Sequence, residues 1–282
     1  MKLATLKNGT AIAVQNDHFV PLAKLGFEDS LLDLISGNVN LEALKVQLAS
    51  ATLEPLDLTQ LATPIMHPPK IICVGLNYRR HALESGMAVP TQPVVFTRFS
   101  TTLNAPYGDV PHDSSITTEL DYEVELAIII GKGGKRIGLD SALEHIFGYT
   151  VCNDISARDI QLSKEVGGQW TRGKNVDGTC PIGPWIVTRD EIPDPQNLRL
   201  TCQVNGQTLQ DSSTSDMIFS VQEIVSRLSY WFTLEAGDII ITGTPEGVGF
   251  ARKPPIFLKP GDVTTAYVEG IGTLENRIVA VA

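Results

Sequence analysis

Acidic and hydrophobic residues alternate along residues 120–126 (LDYEVEL), and an apolar run, AIII, follows at 127–130. Because side chains alternate across a strand, the pattern predicts a strand with hydrophobic side chains on one face and Asp121, Glu123 and Glu125 on the other. The apolar run predicts burial on both faces, which would carry at least the later acids inward. Buried carboxylates in a row require a nearby cation. A solvated edge strand is the alternative.

Residues 1 to about 65 predict a small N-terminal α/β unit, with strand-like pieces around Asn8-Gly9 and helices over 27–35 and 41–53. The proline-rich stretch 63–69 predicts a boundary, which gives domains 1–65 and 66–282. Beyond it, the pattern predicts helices at 79–85 and 221–232 and short strands at 70–75, 94–97, 146–153, 185–187, 198–204, 239–242 and 262–268. This spacing favours an α+β, predominantly β fold, rolled or barrel-like, over a parallel doubly wound sheet.

The composition excludes several classes of function. The chain has 282 residues with 22 Lys and Arg against 32 Asp and Glu, a net charge of −10. This acidity argues against nucleic acid or an anionic membrane surface as a partner. We find no signal or transit pattern and no apolar run long enough for a membrane span, and the four cysteines form no C-x-x-C pair. We therefore expect a reduced, cytoplasmic protein.

Asp154 stands where the predicted strand 146–153 ends and a helix begins. A helix N-cap is the simplest role for it. Together with Glu123 and Glu125 it would instead complete a cage of three carboxylates. Ligation by oxygen alone points to Mg²⁺ or Mn²⁺, since no Cys or His stands at a matching spacing. Asp121 competes as a ligand, and the sequence does not choose among the four acids.

His81 and Glu84 are three residues apart in a predicted helix and share one face. The carboxylate would hold one imidazole nitrogen and leave the other free as a base, although such pairs are also common on solvated helices. Arg158, Gln161 and Lys174 would supply cations and an amide around the cage, or they are ordinary surface residues.

Two glycine-rich segments complete the set of candidate residues. Residues 242–249 (TGTPEGVG) follow a predicted strand, and their N–H groups with the Thr244 hydroxyl would hold a carboxylate. A plain glycine turn is the alternative, since the segment is not a P-loop. Residues 167–174 (GGQWTRGK) predict a mobile loop.

Taken together, these segments resemble the fumarylacetoacetate hydrolase superfamily. The similarity runs from about residue 70 to the end through KIICVGLNYRRHALESG (70–86), LDYEVELAIIIG (120–131), GYTVCNDISARDIQ (148–161), GGQWTRGKNVDGTCPIGPWIVT (167–188) and LEAGDIIITGTPEGVG (234–249). The resemblance implies a mixed β-sandwich roll, a divalent metal and a homodimer. It assigns Glu123, Glu125 and Asp154 as ligands, His81, Glu84 and Lys174 as catalytic residues, and Arg158, Gln161, Lys174, Gly243 and Thr244 as substrate-binding residues.

The resemblance also implies a reaction on a 2-oxo or 2,4-dioxo acid. The first hypothesis is hydrolysis of an acylpyruvate-type or ring-fission 2,4-dioxo acid to pyruvate and a carboxylic acid, through an enolate whose charge the metal stabilises. The alternative is keto–enol tautomerisation or decarboxylation of oxaloacetate, because residues 96–100 and 252–262 are similar to the oxaloacetate tautomerase branch. A third hypothesis is a metal-binding protein without catalysis. Arg98 stands where many members carry lysine, which bears on substrate preference.

Overall fold

The computed structural model describes residues 1–165 and 167–281, so the last residue of the predicted second domain lies outside it. The strands are β1 Lys2–Thr5, β2 Ala11–Gln15, β3 His18–Pro21, β4 Glu54–Pro55, β5 Ile71–Gly75, β6 Val94–Arg98, β7 Leu103–Asn104, β8 Val110–His112, β9 Leu120–Asp121, β10 Val124–Ile130, β11 Ile146–Asn153, β12 Ser156–Ala157, β13 Cys180–Thr188, β14 Arg199–Val204, β15 Gln207–Ser213, β16 Ile239–Ile241, β17 Val263–Val268 and β18 Gly272–Ala280. The α-helices are α1 Leu31–Ser36, α2 Leu41–Ala49, α3 Arg79–Glu84, α4 Arg158–Gln161, α5 Trp170–Lys174 and α6 Val221–Trp231. Short 3₁₀ helices lie at Leu22–Leu25, Leu58–Gln60, Ser100–Thr102, Leu139–His145, Arg189–Glu191, Thr214–Asp216 and Gly249–Ala251.

Two sheets make up most of the fold. The larger has the strand order β4-β3-β2-β1-β13-β11-β10-β16-β5-β6, with β7 added beside β13, and it mixes antiparallel pairs with the parallel pairs β5–β16 and β7–β13. The smaller sheet has the order β15-β14-β17-β18-β8, and β9 and β12 form a separate two-stranded ribbon. The predicted α+β, predominantly β roll is confirmed.

The strand β10 lies at the centre of the large sheet and is buried along its whole length. Its side chains alternate between two cores. Val124, Leu126, Ile128 and Ile130 face the core shared with the smaller sheet, whereas Ala127 and Ile129 face the core formed with the N-terminal helices. The prediction of a strand buried on both faces was therefore correct, and the strand positions Glu125 inside the protein.

The N-terminal residues extend the large sheet. Strand β1 pairs with β13, with Leu3 opposite Ile186, and β2 and β3 continue outward from it. Helices α1 and α2 cover one face of that sheet, where Leu34 and Leu44 join the same core as Ile129. The boundary at residue 65 stays a prediction. The residues before it share a sheet and a core with those after it.

Several predicted elements need correction. Helix α1 begins at Leu31 instead of residue 27, because the Ser30 hydroxyl accepts from the Asp33 N–H and caps the helix there. The predicted mobile loop 167–174 contains helix α5. Strands β15 and β18 were not predicted, since their alternation of polar residues gives a weak hydrophobic signal. His112 is buried in β8, and its Nε2 lies 3.1 Å from the Thr117 carbonyl oxygen.

Candidate metal-centred active site

Three carboxylates meet where β10 begins and β11 ends. The two strands are antiparallel, with Val124 opposite Asn153, and the Asp154 N–H donates to the Glu123 carbonyl at 2.8 Å. The side chains of Glu123, Glu125 and Asp154 are buried, and each offers a ligand oxygen within 4.8 Å of the others. The strand pairing thus brings together three of the four acids among which the sequence pattern left the choice open.

Asp121, the competing acid, lies apart from this cage. Its Oδ1 accepts from the N–H groups of Tyr122 at 2.9 Å and Gly249 at 2.7 Å. Its Oδ2 accepts from Phe250 N–H at 3.1 Å and from Arg158 Nε at 2.8 Å. The chain breaks regular pairing between β9 and β10, so Asp121 belongs to the short ribbon and not to the end of β10. The structure thus separates Asp121 from the other three acids.

Two of the three cage carboxylates are neutralised by buried cations. Lys174 donates to both Glu123 and Asp154. Arg158 donates to Glu123 at 2.5 Å, and Arg98 donates to Asp154. Burial alone would raise the pKa of Glu123, but Arg158 and Lys174 outweigh it and lower this pKa to about 2. Burial likewise opposes charge on Lys174, yet Asp154 and Glu123 raise its pKa, so it is an ammonium group.

Glu125 is different. Its carboxylate accepts from the Gly243 N–H, and no cation pairs with it in the described part of the chain. Burial raises its pKa well above the ordinary value, and the neighbouring Asp154 and Glu123 raise it further. The cage and its surroundings thus hold four buried carboxylates against three buried cations. With Glu125 ionised, the site would carry one excess negative charge, and oxygen ligands of this kind fit a hard divalent cation.

The predicted dyad lies on α3. His81 Nδ1 is 2.9 Å from Glu84 Oε1, and both oxygens of Glu84 also accept from the Gly247 N–H at 3.0 Å. A carboxylate partner fixes the proton on Nδ1, which leaves Nε2 as the basic nitrogen. His81 lines the same cavity as the three carboxylates. The structure therefore brings the dyad and the cage to one site.

The cavity between them is small, about 30 Å³, enough for little more than a water molecule. Its walls include Phe96, Trp170 and Phe250. Trp170 packs edge-on against Phe96 and lies so close to Gly75 that a Cβ there would come within 2.2 Å of its ring. Aromatic side chains therefore line the cavity beside the charged residues of the cage.

The predicted substrate-binding residues also line this cavity, which Arg158, Gln161, Lys174, Gly243 and Thr244 all reach. One detail of the prediction needs correction. The Thr244 hydroxyl donates to the Val124 carbonyl at 3.0 Å and accepts from Gln210 at 2.8 Å, so its proton is already used. The Thr244 N–H makes no hydrogen bond within residues 1–165 and 167–281, which leaves that group available to a carboxylate.

Sequence reasoning missed other parts of the site. Ala157, and not Asp154, is the residue at the N-cap of α4, and no side chain caps that helix. Arg98 is fully engaged under the cage, where it pairs with Asp154 and donates to the Ile155 carbonyl at 2.5 Å. The backbone N–H groups of Gly247, Gly249 and Phe250 hold Glu84 and Asp121. The closely spaced glycines of 243–249 were the sequence signal for these contacts.

Comparison with known proteins is consistent with this site. A family model described as the fumarylacetoacetate (FAA) hydrolase C-terminal domain matches residues 70–279. The chain therefore belongs to the fumarylacetoacetate hydrolase family and is a metal-dependent enzyme of that family. It is 44% identical over 240 residues to the mitochondrial oxaloacetate tautomerase FAHD2A of Bos taurus, covering 83% of this chain and 75% of the bovine protein.

Solved structures agree with the fold over the whole chain. The fumarylacetoacetate hydrolase of the psychrophile Exiguobacterium antarcticum is 39% identical with a TM-score of 0.85, and 100% of each chain is covered. The maleylpyruvate hydrolase of Sphingobium sp. SYK-6, solved with manganese(II) and pyruvate, is 29% identical with a TM-score of 0.82 and the same coverage. Within the described ranges, no helix has the length and apolar character that crossing a membrane requires.

Proposed function

We propose that this protein is an oxaloacetate tautomerase that depends on Mg²⁺ or Mn²⁺ held by Glu123, Glu125 and Asp154. The observation that carries the proposal is that the three carboxylates and the His81–Glu84 pair line one cavity, which would have to enlarge to admit any oxo acid. The similarity to the bovine oxaloacetate tautomerase supports it. Maleylpyruvate hydrolase, whose structure is solved with manganese and pyruvate, supports a divalent ion beside an oxo acid.

The donor set fits such an ion. A divalent cation would convert the excess negative charge of the site into an excess positive charge, which attracts an anionic substrate. When bound, the ion would stabilise negative charge on the oxygens of the oxo acid. Hard oxygen ligands suit Mg²⁺ and Mn²⁺ alike, and a titration with each ion decides between them.

The cationic and N–H groups around the cage would seat the substrate. Arg158 would contact a carboxylate group of the substrate, and the Thr244 N–H would donate to one. Gln161 would remain on Arg158, where its Oε1 accepts at 2.7 Å, and it would orient that guanidinium. The bound acid would thus be held with its C3 carbon toward α3.

His81 would move the proton. Its Nε2 would take a proton from C3, while Glu84 holds the Nδ1 proton and stabilises the imidazolium that forms. Lys174 would donate a hydrogen bond to the 2-oxygen as negative charge builds there, since its raised pKa makes it a donor and not a base. The 2-oxygen would then take a proton from the solvent to give the enol, while His81 returns its proton to the solvent. The same transfers in reverse would give the keto form, so no other reactant is consumed.

Hydrolysis of a 2,4-dioxo acid, the first hypothesis from the sequence, is the second candidate. The specific observation in its favour is the His81–Glu84 pair, which can also activate a water molecule. It would require the cavity to enlarge further than oxaloacetate requires, through a movement of α3 or of Trp170, to admit both an acyl group and the water.

Two assays separate the candidates. With Mg²⁺, the protein should accelerate the loss of the oxaloacetate enol absorbance without consuming the acid. Stoichiometric pyruvate release from an acylpyruvate would instead support hydrolysis, and steady loss of CO₂ from oxaloacetate would support decarboxylation. The variant His81→Gln should lose about 10²- to 10⁴-fold in rate, while His67→Gln, on an exposed loop, should match the wild type.

A homodimer is the proposed assembly. Phe99, Ile116 and Val281 are exposed hydrophobic residues that line one groove of about 650 Å³. Such a patch is unusual on a monomer and suits a second copy of the chain. Light scattering of the wild type and of Phe99→Asp would test this. The bovine relative is named as mitochondrial, so the cytoplasmic location expected from the sequence stays a prediction.

A further inference from the structure

We infer that Asp121 is a positioning residue that locks the Arg158 guanidinium and the backbone of residues 249–250 into the geometry that binds substrate. The inference rests on the proposed function only in taking Arg158 as a substrate contact. Asp121 itself does not line the cavity. It would act entirely through the groups to which it is bonded.

Asp121 is completely buried and its acceptor capacity is filled. Each of its oxygens accepts two hydrogen bonds, from three backbone N–H groups and from Arg158 Nε. A carboxylate offers about four lone-pair positions, so nothing is left with which to bind an ion. Among the buried acids of the site, Asp121 is therefore the one whose carboxylate binds only groups of the protein itself.

Arg158 is fixed in its plane by this contact. Nε donates to Asp121, Nη2 donates to Glu123 at 2.5 Å, and Nη1 donates to Gln161 at 2.7 Å. The Phe250 ring lies against one face of the guanidinium, with its centroid 4.5 Å from the central carbon. Of the five guanidinium N–H groups, two make no hydrogen bond to the residues that the structure describes and remain for a ligand. The direction in which these two N–H groups point depends on the three hydrogen bonds that orient the guanidinium group.

The same carboxylate holds the segment that carries Phe250. Gly249 packs so tightly against Asp121 that a Cβ would come within 2.6 Å of Oδ1 and 1.9 Å of the Ile256 carbonyl. Phe250 also lines the cavity. Asp121 thus sets two walls of the site at once, the guanidinium on one side and the ring stacked on it.

The variant Asp121→Asn keeps the shape of the side chain but replaces one acceptor oxygen with an NH₂ group. That group faces N–H donors on either side of the carboxylate, so Arg158 or the 249–250 backbone must shift. We expect the KM for oxaloacetate to rise about tenfold with a smaller change in kcat, since substrate seating is what is lost. The Kd for Mg²⁺ should stay within about twofold of the wild type, because Asp121 is not a ligand.

A double-mutant cycle with Arg158→Lys tests whether Asp121 acts through Arg158. Lysine lacks the fork that Asp121 orients. The double variant should therefore lose clearly less in kcat/KM than the product of the two single losses. Multiplicative losses would overturn the inference, and so would a Mg²⁺ Kd that rises more than about tenfold in Asp121→Asn. Should Asp121→Asn fail to fold, Asp121→Ser enters the same cycle.

A matched control and a substrate-free readout complete the design. Asp159→Asn removes a neighbouring carboxylate that accepts from Thr117 and Thr118 but lies outside the cavity, and it should leave KM unchanged. Calorimetric binding of oxalate in the presence of Mg²⁺ repeats the cycle without turnover. If the wild type binds oxalate but does not act on oxaloacetate, the proposed function fails while the oxalate affinities still decide the role of Asp121.

Discussion

Asp121 and Glu125 are buried carboxylates four residues apart in one stretch of chain, yet their surroundings differ. Asp121 receives four hydrogen bonds, one of them from an arginine. Glu125 receives one from the Gly243 N–H and faces two other carboxylates. The two carboxylates are equally buried, but Asp121 is surrounded by hydrogen-bond donors and Glu125 by other carboxylates.

The difference shows that the number of donors separates a structural acid from a candidate ligand. Burial raises the pKa of both groups, but Arg158 offsets much of this at Asp121, whereas Asp154 and Glu123 raise the pKa of Glu125 further. A buried acid with unfilled lone pairs among like charges is stable as an anion only with a cation beside it. Glu125 meets that description and Asp121 does not.

The largest effect is expected for Glu125→Gln. The variant loses one of three charged ligands, so its Mg²⁺ affinity should fall by more than about 100-fold, beyond the 10–100-fold typical of outer-shell losses. Without metal, and at a pH above the raised pKa of Glu125, it should melt a few degrees higher than the wild type, because a carboxylate facing two others has been neutralised. Metal titration and melting curves with EDTA measure both effects. A control, Glu144→Gln on the surface, should change neither.

Asp121→Asn should change stability in the opposite direction. Removing a charged acceptor from four filled hydrogen bonds leaves buried donors unpaired, at a cost of about 2–3 kcal/mol. For a chain of this size the melting temperature would fall by roughly 5 °C. The same melting experiment with EDTA measures it, and Asp159→Asn should melt as the wild type does. If Asp121→Asn and Glu125→Gln shifted the melting temperature in the same direction, the contrast between the two acids would be wrong.

The contrast also shows what the sequence could and could not predict. The strands β10 and β11 could be predicted because their signal is local: β10 begins with alternating residues, and both strands contain a continuous apolar run. Four candidate acids followed from these strands and their ends, namely Asp121, Glu123, Glu125 and Asp154. The alternation could not separate Asp121 from Glu123 and Glu125, because the choice depends on donors from Arg158 and residues 249–250, far away in sequence.

Arg98 illustrates the same limit. It lies 56 residues before Asp154, and nothing local to either residue predicts that they pair. Likewise, Asp154 has the local sequence of an N-cap, but Arg98 and Lys174 take its side chain, so Ala157 stands at the helix start without a cap. Tertiary ion pairs outweighed the local capping preference here.

A pH experiment sharpens the contrast without any mutation. Because the pKa of Glu125 is raised in the folded protein, the metal-free protein should gain stability as pH falls through that raised pKa toward the ordinary glutamate value. The pKa of Glu123 is lowered to about 2, so its contribution is present above the ordinary glutamate value and is lost as pH falls through 2. Melting curves with EDTA across pH measure the combined dependence.

Metal should reverse the first of these trends. The ion binds the ionised form of Glu125, so with saturating Mg²⁺ the stability should fall as pH falls over the same range. In Glu125→Gln, the metal-free gain on acidification should disappear. A gain that persists in this variant would assign the proton uptake to another group.

The smallest effect is expected at an exposed contact to the same glycine-rich segment. Arg80 Nη1 donates to Glu246 at 3.2 Å, and the Arg80 side chain is 66% exposed. Arg80→Ala should cost less than about 1 kcal/mol, since exposed pairs are screened. KM should rise no more than about threefold, because Gly247 still holds Glu84 and thereby α3.

Arg79→Ala, at the neighbouring exposed position on α3, is the matched control for helix propensity and charge. Melting and kinetics of the two variants are compared with those of Asp121→Asn. An Arg80→Ala variant that raises KM as much as Asp121→Asn would mean that the exposed ion pair, and not the buried carboxylate, holds residues 243–250 against the site. The donor count at Asp121 argues for the opposite order, because four buried hydrogen bonds to one charge cannot be replaced by water as a surface pair can.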